Sequence, residues 1–426
     1  MFKRISVFLV YTIVLIAFCG CDNKGSYDNN NIESTKINVI DQTKKQETGL
    51  DRQNKNQLQQ EEKDIIKEQI KKMTLDEKIG QMVIVGVDDY TNNSHSKEMI
   101  EQYHVGGFIL FKRNIKDANQ AVSLINSLKE TNAINKQPLF IGIDEEGGRV
   151  TRMPGEFIKL PTNKVIGRVN NGDYSFNIGK AIARELKAFG MNMDFAPVLD
   201  INSNPANPVI GDRAFGSNAE IVSKLGIETM KGIQSQGVVS VVKHFPGHGD
   251  TSEDSHIGLP VVNNDLNRLK SFELLPFFEA IKTNADAVMI AHILLPKVDE
   301  VNPSSLSKTI ITDILRKDLK FNGVVITDDM TMGAIIKKYD IGAAAIKSIN
   351  AGSDIILVCH DYEKEVSVLK ALKEAVKAGD IHEDTINNSV YRIIKLKQKY
   401  NLKDEKVDSI DVEQINSAIK GVLDSY

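Results

Sequence analysis

The stretch GVVITDD, residues 323–329, is an apolar run rich in β-branched residues that ends in two aspartates. Apolar runs without polar alternation are typical of parallel strands that are covered on both faces. Seven other stretches of the chain share this character. They are IGQMVIVGV (79–87), VGGFILF (105–111), LFIGID (139–144), MNMDFAPVLD (191–200), VVSVVKHF (238–245), ADAVMIAHI (285–293) and SDIILVC (353–359).

Amphipathic stretches lie between these runs, with apolar residues at every third or fourth position, as in a helix with one buried face. Strand and helix that alternate eight times predict a (β/α)8 TIM-type barrel of the α/β class, with a doubly wound open sheet as the alternative. The helical stretches include ANQAVSLINSLKE (118–130), YSFNIGKAIARELKAFG (174–190), AEIVSKLGIETMKGIQ (219–234) and LKSFELLPFFEAIK (269–282).

Polar residues at the strand ends favour the barrel. A barrel brings the C-terminal ends of all its strands to one mouth, where active sites lie. The polar residues at or just after the ends of different runs are Asp144, Asp200, Lys243, His244, His292 and Asp328.

The stretch KHFPGHGDTSEDSH, residues 243–256, collects histidines and acids on one loop, which fits either a metal site or proton transfer. The residues Pro246, Gly247 and Gly249 prevent a helix that would place the histidines on one face, which argues against a metal site. We therefore expect no metal and no cofactor. The metal ligands in the disfavoured alternative are His244, His248, Asp250 and His256.

The first twenty residues have the pattern of a signal peptide, with Lys3 and Arg4 before an apolar run too short to span a membrane comfortably. Gly20 before Cys21 resembles a bacterial lipoprotein processing site, which predicts that Cys21 carries lipid. An uncleaved membrane anchor is the alternative. Either way, we expect export and attachment to the cell membrane, facing the cell wall.

Residues 21–62 are rich in Asn, Gln, Lys and Asp. We expect a flexible tether there, because such a segment cannot bury enough apolar surface to offset the entropy of ordering. The catalytic barrel is expected over residues 63–402. Apolar residues at helical spacing predict a last helix within the tail, residues 403–426.

The composition of the chain limits the kinds of ligand and partner that we expect. Without residues 1–20 the chain has 51 basic and 57 acidic residues, a balance that argues against a nucleic acid partner. Only Cys359 remains outside the N-terminal segment, so we expect no disulfide framework. The chain has no Trp, the usual platform for stacking along polysaccharides, so we expect a pocket for one terminal sugar. We also expect a monomer.

Five stretches resemble, in order, the motifs of family 3 glycoside hydrolases, most closely those of the bacterial β-N-acetylglucosaminidases. The resemblance spans about residues 65–400 and implies a (β/α)8 catalytic domain. Since few residues follow Tyr400, we expect no second family 3 domain. The stretches are IDEEGGRV (143–150), GDRAFG (211–216), KHFPGHGDTSEDSH (243–256), MIAHI (289–293) and ITDDMTMGAI (326–335).

The resemblance implies that Asp328, the first aspartate of ITDDM, is the nucleophile. Its place at a strand end agrees with this role, because a rigid backbone can hold a carboxylate where attack on an anomeric carbon requires it. The alternative is that Asp328 or Asp329 caps a helix that begins near Met330.

The resemblance also implies that His256, in the triplet Asp254-Ser255-His256, is the acid/base and that Asp254 orients it. An imidazole can give and take a proton near neutrality. Retaining glycosidases ordinarily use a second carboxylic acid for this step, and none is evident at the strand ends.

The remaining motif residues resemble those that hold the sugar hydroxyls and the acetamido-bearing ring, and charged bonds to vicinal hydroxyls give a physical reason for their types. Each of them could instead form a structural ion pair, and a structural role fits Arg149 and His292 equally well. The predicted sugar-binding residues are Asp144, Arg213, Lys243 and His244.

The sequence therefore predicts a retaining exo-β-N-acetylglucosaminidase that removes terminal β-linked N-acetylglucosamine through a glycosyl-aspartate intermediate. The expected substrates are peptidoglycan fragments, in the form of a small saccharide or muropeptide. One alternative is a β-glucosidase or β-xylosidase of the same family, whose members supply a glutamate instead of the Asp-Ser-His loop. Another is a degenerate barrel that binds the cell wall without catalysis. Whether water or phosphate accepts the glycosyl group stays open.

Overall fold

The computed structural model describes residues 60, 61 and 63–426. The predicted signal peptide, Cys21 and all but two residues of the predicted tether lie outside the described residues. Residues 60 and 61 are helical. The chain separates into Met1–Asp64 and Ile65–Tyr426, and the fold described below is that of the second unit.

Eight parallel strands close into a barrel in sequence order, with β1 paired to both β2 and β8. The predicted (β/α)8 barrel is therefore confirmed, and the open doubly wound sheet is excluded. The strands are β1 Val83–Val85, β2 Gly107–Leu110, β3 Phe140–Ile143, β4 Met193–Asp194, β5 Val239–Phe245, β6 Ala287–Ile290, β7 Val324–Asp329 and β8 Ile355–Val358.

Helices follow the strands and cover the outside of the barrel. The strands themselves are almost wholly buried, as expected when side chains fill the interior on one face and meet helices on the other. The helices after residue 74 include Leu75–Gln81, Ser94–Glu101, Ala118–Thr131, Asn163–Val169, Gly172–Phe189, Ala219–Ser235, Leu266–Ser271, Leu275–Lys282, the π-helical Thr309–Asp318, Gly333–Ile336, Ile341–Ala351, Tyr362–Ala378, Glu383–Lys399 and Val412–Leu423.

Three sequence-based boundaries differ from the structure. Residues 79–81 end a helix that is capped by Thr74, so β1 is shorter than predicted. The run 191–200 forms a strand only at Met193–Asp194, after which the chain makes a single bridge from Val198 to Lys243. The predicted helix 269–282 is two helices, because Pro276 lacks an amide hydrogen and opens the second one.

Residues outside the barrel strands complete the unit. The helix Val412–Leu423 packs against Gly172–Phe189, with Ile419 buried. Cys359 is buried and unpaired. Among the helices that the structure describes, none combines the length and apolar character that a membrane crossing needs.

Candidate active site

A cavity of about 470 Å³ opens at the C-terminal ends of the strands. Six of the seven predicted site residues line it, and the seventh, Asp254, contacts one of these six. The polar lining residues are Asp144, Glu146, Arg152, Arg213, Lys243, His244, His248, Ser255, His256, Asp328, Asp329, Thr331, Lys337 and His360.

Asp328 is the second-last residue of β7 and is partly exposed to the cavity. The amide of Asp329 donates to its Oδ1 at 2.8 Å. Burial by itself raises the pKa of the Asp328 carboxyl, but the rings of His292 and His244 in their protonated forms, this amide and Lys243 outweigh burial and lower it. Asp328 is therefore an ionised carboxylate at neutral pH, which is the form that attacks an electrophilic carbon.

Asp329 fixes the turn after β7 and does not cap a helix. Its Oδ1 accepts from the amides of Thr331 at 2.9 Å and Cys359 at 3.0 Å, which ties the end of β7 to the end of β8. The next helix, Gly333–Ile336, begins after Met332 and has no side-chain cap. Both aspartates line the cavity, but Asp328 is partly exposed there, whereas Asp329 is buried and holds the amides of Thr331 and Cys359.

His292 holds the backbone at the same place. Its Nε2 lies 3.0 Å from the carbonyl oxygen of Asp329, so this nitrogen must carry the hydrogen. The hydroxyl of Ser305 lies 2.7 Å from Nδ1 and donates to it. Burial lowers the pKa of His292 and keeps the ring neutral, which suits this arrangement. Of the two roles that the sequence left open for His292, the structure favours the structural one.

Asp254 and His256 form a local pair on the long loop after β5. Oδ1 of Asp254 accepts from the His256 amide at 2.9 Å and from Nδ1 of the ring at 2.7 Å. Burial alone raises the pKa of Asp254, but the hydrogen bonds from His256 outweigh it, so the pKa is lowered and the carboxylate stays charged. Since Nδ1 carries the hydrogen given to Asp254, Nε2 is the nitrogen available to a substrate.

Four charged residues form one network on the floor of the cavity. Lys243 Nζ lies 2.6 Å from Asp144 and 2.8 Å from Glu146. Arg213 binds Glu146 through two bonds, Nε to Oε2 at 2.8 Å and Nη2 to Oε1 at 2.7 Å. Burial alone raises the pKa of Glu146, but Arg213 and Lys243 outweigh burial and hold it well below its usual range. The floor therefore presents fixed charges to any bound ligand.

His244 joins this network through a second histidine–aspartate pair. Nδ1 lies 2.6 Å from Oδ2 of the fully buried Asp200, and Nη2 of Arg213 lies 3.4 Å from Nε2. Because a guanidinium can only donate, Nε2 accepts and the hydrogen resides on Nδ1. His244 thus presents an acceptor nitrogen toward the cavity.

The rings of the three loop histidines have separate hydrogen-bond partners, although those of His244 and His248 pack edge to face with their centroids 5.7 Å apart. His244 pairs with Asp200 and His256 with Asp254. His248 lies with Nδ1 2.9 Å from the Thr251 hydroxyl and Nε2 3.3 Å from the Ser255 hydroxyl, and burial, then the charge of His244, lower its pKa to about 4. Within residues 60–426, apart from residue 62, no group of three or more His, Cys, Asp or Glu is arranged to hold a metal ion.

Sequence reasoning missed Glu146 and Arg152. Glu146 is the second glutamate of IDEEGGRV, and Arg152 follows that motif and lies 3.6 Å from Asp144. Glu146 lies three positions after the end of β3, and nothing in the local sequence marked it as a buried acid. Arg149, which the motif does contain, binds the carbonyls of Val209 and Ile210 at 2.6 and 3.1 Å and thereby supports the turn that carries Arg213.

Comparison with known proteins places this geometry in a family. The sequence pattern of the glycosyl hydrolase family 3 N terminal domain matches residues 74–396. A solved structure of a family 3 β-N-acetylglucosaminidase from Paenibacillus sp. str. FPU-7 superposes with a TM-score of 0.78 at 41% identity, covering 82% of this chain and 68% of that one.

Curated proteins of similar sequence are beta-hexosaminidases. Beta-hexosaminidase A of Pseudoalteromonas piscicida is 38% identical over 326 residues, which are 71% of this chain and 54% of that protein. The beta-hexosaminidase of Nitrosomonas eutropha is 36% identical over 282 residues, which are 65% of this chain and 80% of that protein. The chain therefore spans about half the length of the first relative and most of the second. By the extent of these matches, the chain belongs to glycosyl hydrolase family 3.

Proposed function

We propose that the protein is a retaining exo-β-N-acetylglucosaminidase that hydrolyses terminal β-linked N-acetylglucosamine. The observation that carries the proposal is that an ionised strand-end carboxylate, Asp328, and the Asp254–His256 pair meet at one cavity. A nucleophile and a proton carrier are the two groups that a two-step glycosyl transfer needs. The relatives named above, which include an acetylglucosaminidase and hexosaminidases, support the choice of sugar.

In the first step, a carboxylate oxygen of Asp328 attacks the anomeric carbon while the bond from that carbon to the leaving oxygen breaks. His256 gives the proton on Nε2 to the leaving oxygen, and Asp254 stabilises the imidazolium from which this proton departs. The products of this step are the free aglycone and a glycosyl ester of Asp328.

In the second step, water attacks the anomeric carbon and the ester bond to Asp328 breaks. His256, now neutral, accepts the proton of the water on Nε2, which restores the starting state of both residues. Two inversions at one carbon give net retention. Phosphate in place of water would leave the same amino acids in the same roles.

The charged floor binds the sugar in this proposal. Asp144, Arg213, Lys243 and His244 present both donors and acceptors, as the hydroxyls and the acetamido group of a single ring require. Because Glu146 and Asp200 already hold three of these groups in place, little side-chain entropy is lost when the ring binds.

The test is a comparison of aryl N-acetyl-β-glucosaminide with aryl β-glucoside as substrates, with and without prolonged exposure to a chelator. We expect turnover of the first, with the β-anomer as initial product by NMR, and no effect of chelation, since both catalytic groups are side chains. Faster turnover of the glucoside would favour the β-glucosidase alternative. No turnover of either would favour a degenerate binding barrel, and loss on chelation with recovery on adding zinc would assign the loop histidines to a metal.

We also propose that the substrates are peptidoglycan fragments and that the protein is held at the membrane as a monomer through lipid on Cys21. Support for the lipid anchor comes from the N-terminal sequence pattern alone. Cys21→Ser should release the protein from the membrane fraction and abolish labelling with radioactive palmitate. Retention of the variant in the membrane would instead indicate an uncleaved N-terminal anchor.

Glu146→Gln is expected to weaken both the fold and the sugar site. The change leaves Lys243 and Arg213 facing each other with one anion fewer in a buried site, and breaking a buried pair costs about 3 kcal/mol. Urea unfolding should show that loss, and KM for the N-acetylglucosaminide should rise because the floor cations lose their fixed positions.

The matched control is Asp212→Asn. Asp212 binds Arg149 at 2.7 Å, but both side chains are well exposed. Loss of such a surface pair costs about 1 kcal/mol or less. If Glu146→Gln were as stable and as active as Asp212→Asn, Glu146 would not be the anchor of the floor.

A further inference from the structure

The loop that carries His256 is docked onto the segment that follows the nucleophile. The amide of Ala334 donates to the carbonyl oxygen of Ser255 at 3.1 Å. Nζ of Lys337 donates to the carbonyl oxygen of Ile257 at 2.5 Å. These two bonds hold the residues on either side of His256.

Gly333 allows the close approach. A Cβ at this position would lie 2.5 Å from the carbonyl oxygen of His256 and 3.1 Å from that of Ile257. Contacts of 2.5 Å with a backbone oxygen are not tolerated, so a side chain here must push the loop away. Gly333 and Lys337 also line the cavity, five and nine positions after Asp328 in the chain.

The other end of the loop is fixed independently. Thr251 and Ser255 both contact the buried ring of His248, whose amide donates to Asp200 at 2.6 Å. The side chain of His256 itself is 68% exposed and its ring is bonded to Asp254, two positions away. The position of the His256 ring relative to Asp328 therefore depends on what fastens the loop backbone.

We propose that Gly333 and Lys337 are positioning residues for His256: they latch the acid/base loop to the backbone that follows Asp328. This inference rests on the proposed function and adds to it two residues that touch neither the reacting bond nor the side chains of the Asp254–His256 pair. The latch sets the distance between proton carrier and nucleophile, so it matters in proportion to how much the leaving group needs the proton.

The test measures kcat/KM for a natural disaccharide, whose leaving group needs the proton, and for an activated aryl glycoside, whose leaving group does not. Lys337→Met keeps the length of the side chain and removes the donor. It should lower the disaccharide value about fivefold more than the aryl value, as expected for one lost hydrogen bond. Gly333→Ala should produce a larger gap, about thirtyfold, because the methyl group displaces the loop backbone.

Two further variants separate positioning from other effects. Lys337→Arg retains a donor. Its kcat/KM for the disaccharide, relative to that for the aryl glycoside, should therefore lie closer to the wild-type ratio than that of Lys337→Met. Lys338→Met removes an exposed charge from the adjacent position and should leave both substrates unchanged. Hydrogen exchange of the Ala334 amide should quicken in Lys337→Met, which reports the loosened latch without reference to activity.

The outcomes distinguish the latch from the proposed function. A wild-type protein that turns over neither substrate overturns both. An active wild-type protein together with equal losses on both substrates in Lys337→Met, or with unchanged exchange at Ala334, overturns the latch and leaves the proposed function standing. If Gly333→Ala does not fold, the Lys337 variants decide the question.

Discussion

Asp328→Asn is expected to lower kcat by several powers of ten and to leave the fold intact. The amide cannot form the glycosyl ester, so the first step loses its nucleophile. The fold should persist because Asp328 is partly exposed to the cavity, and an amide oxygen can also accept the hydrogen bond that its Oδ1 receives from the neighbouring amide of Asp329. Steady-state kinetics with an activated aryl N-acetylglucosaminide, together with thermal unfolding, measure both effects.

Labelling gives independent evidence for Asp328. A mechanism-based fluorinated sugar slows the second step more than the first, so the glycosyl ester should accumulate on the peptide that contains ITDDM, residues 326–330. A variant that kept a tenth of the wild-type kcat, or label found on Asp329, would move the role to that residue. Asp329→Asn is a useful contrast, since its carboxylate holds the turn and its loss should reduce stability.

The lowered pKa of Asp328 has a consequence for the pH dependence. The nucleophile is active when ionised, and the net effect of His292, His244, the Asp329 amide and Lys243 keeps it ionised to a lower pH than a free carboxyl. Protonation of the nucleophile should therefore not reduce activity in weakly acidic solution. Any loss of activity near neutral pH must come from another group.

His256→Ala is the second large prediction. It should lower kcat/KM for a natural disaccharide by a factor of about 10² to 10⁴, the range over which general acid catalysis contributes, while an activated aryl glycoside is nearly spared in the first step. Asp254→Ala should also lower kcat/KM more for the disaccharide than for the aryl glycoside, but by a smaller factor, because it removes the orienting carboxylate and leaves the imidazole. A series of aryl leaving groups measures the effect as a steeper dependence of kcat/KM on leaving-group acidity.

The chain provides a matched control in His95, whose Nδ1 lies 2.8 Å from Asp88 in a second exposed histidine–aspartate pair that does not line the cavity. His95→Ala should leave the dependence on the leaving group unchanged. If His256→Ala also left it unchanged, His256 would only shape the loop and the proton would come from another residue. His360, half exposed in the cavity wall, would be the next residue to test.

The sequence predicted the barrel because each strand is buried on both faces, which leaves an uninterrupted apolar run in the chain. All eight strands were located, and GVVITDD corresponds closely to β7. Strand ends were less well placed. The short stretch of residues 79–81 fits either the start of a strand or the buried end of a helix. Only the helix cap at Thr74 distinguishes the two structures.

Contacts between residues that are close in the sequence could also be predicted. Asp254 and His256 are two positions apart, so their pairing needs no knowledge of the fold. Asp328 and Asp329 are adjacent, and the sequence alone left a capping role open for both. The structure separates them, because the direction of each carboxylate depends on how the end of β7 meets the end of β8.

By itself, the sequence determined the class of fold, the mouth at which the polar residues meet and the resemblance that names a reaction. Only the tertiary structure decided which charges pair across the floor. Lys243 reaches Asp144 and Glu146, about a hundred residues away, because barrel closure brings β3 and β5 within a side-chain length, and Glu146 looked like any surface acid until then. The docking of Ile257 by Lys337, eighty positions apart, likewise follows from the order of strands around the barrel. Pairings of this kind depend on distances set by closure, and no local pattern in the chain encodes them.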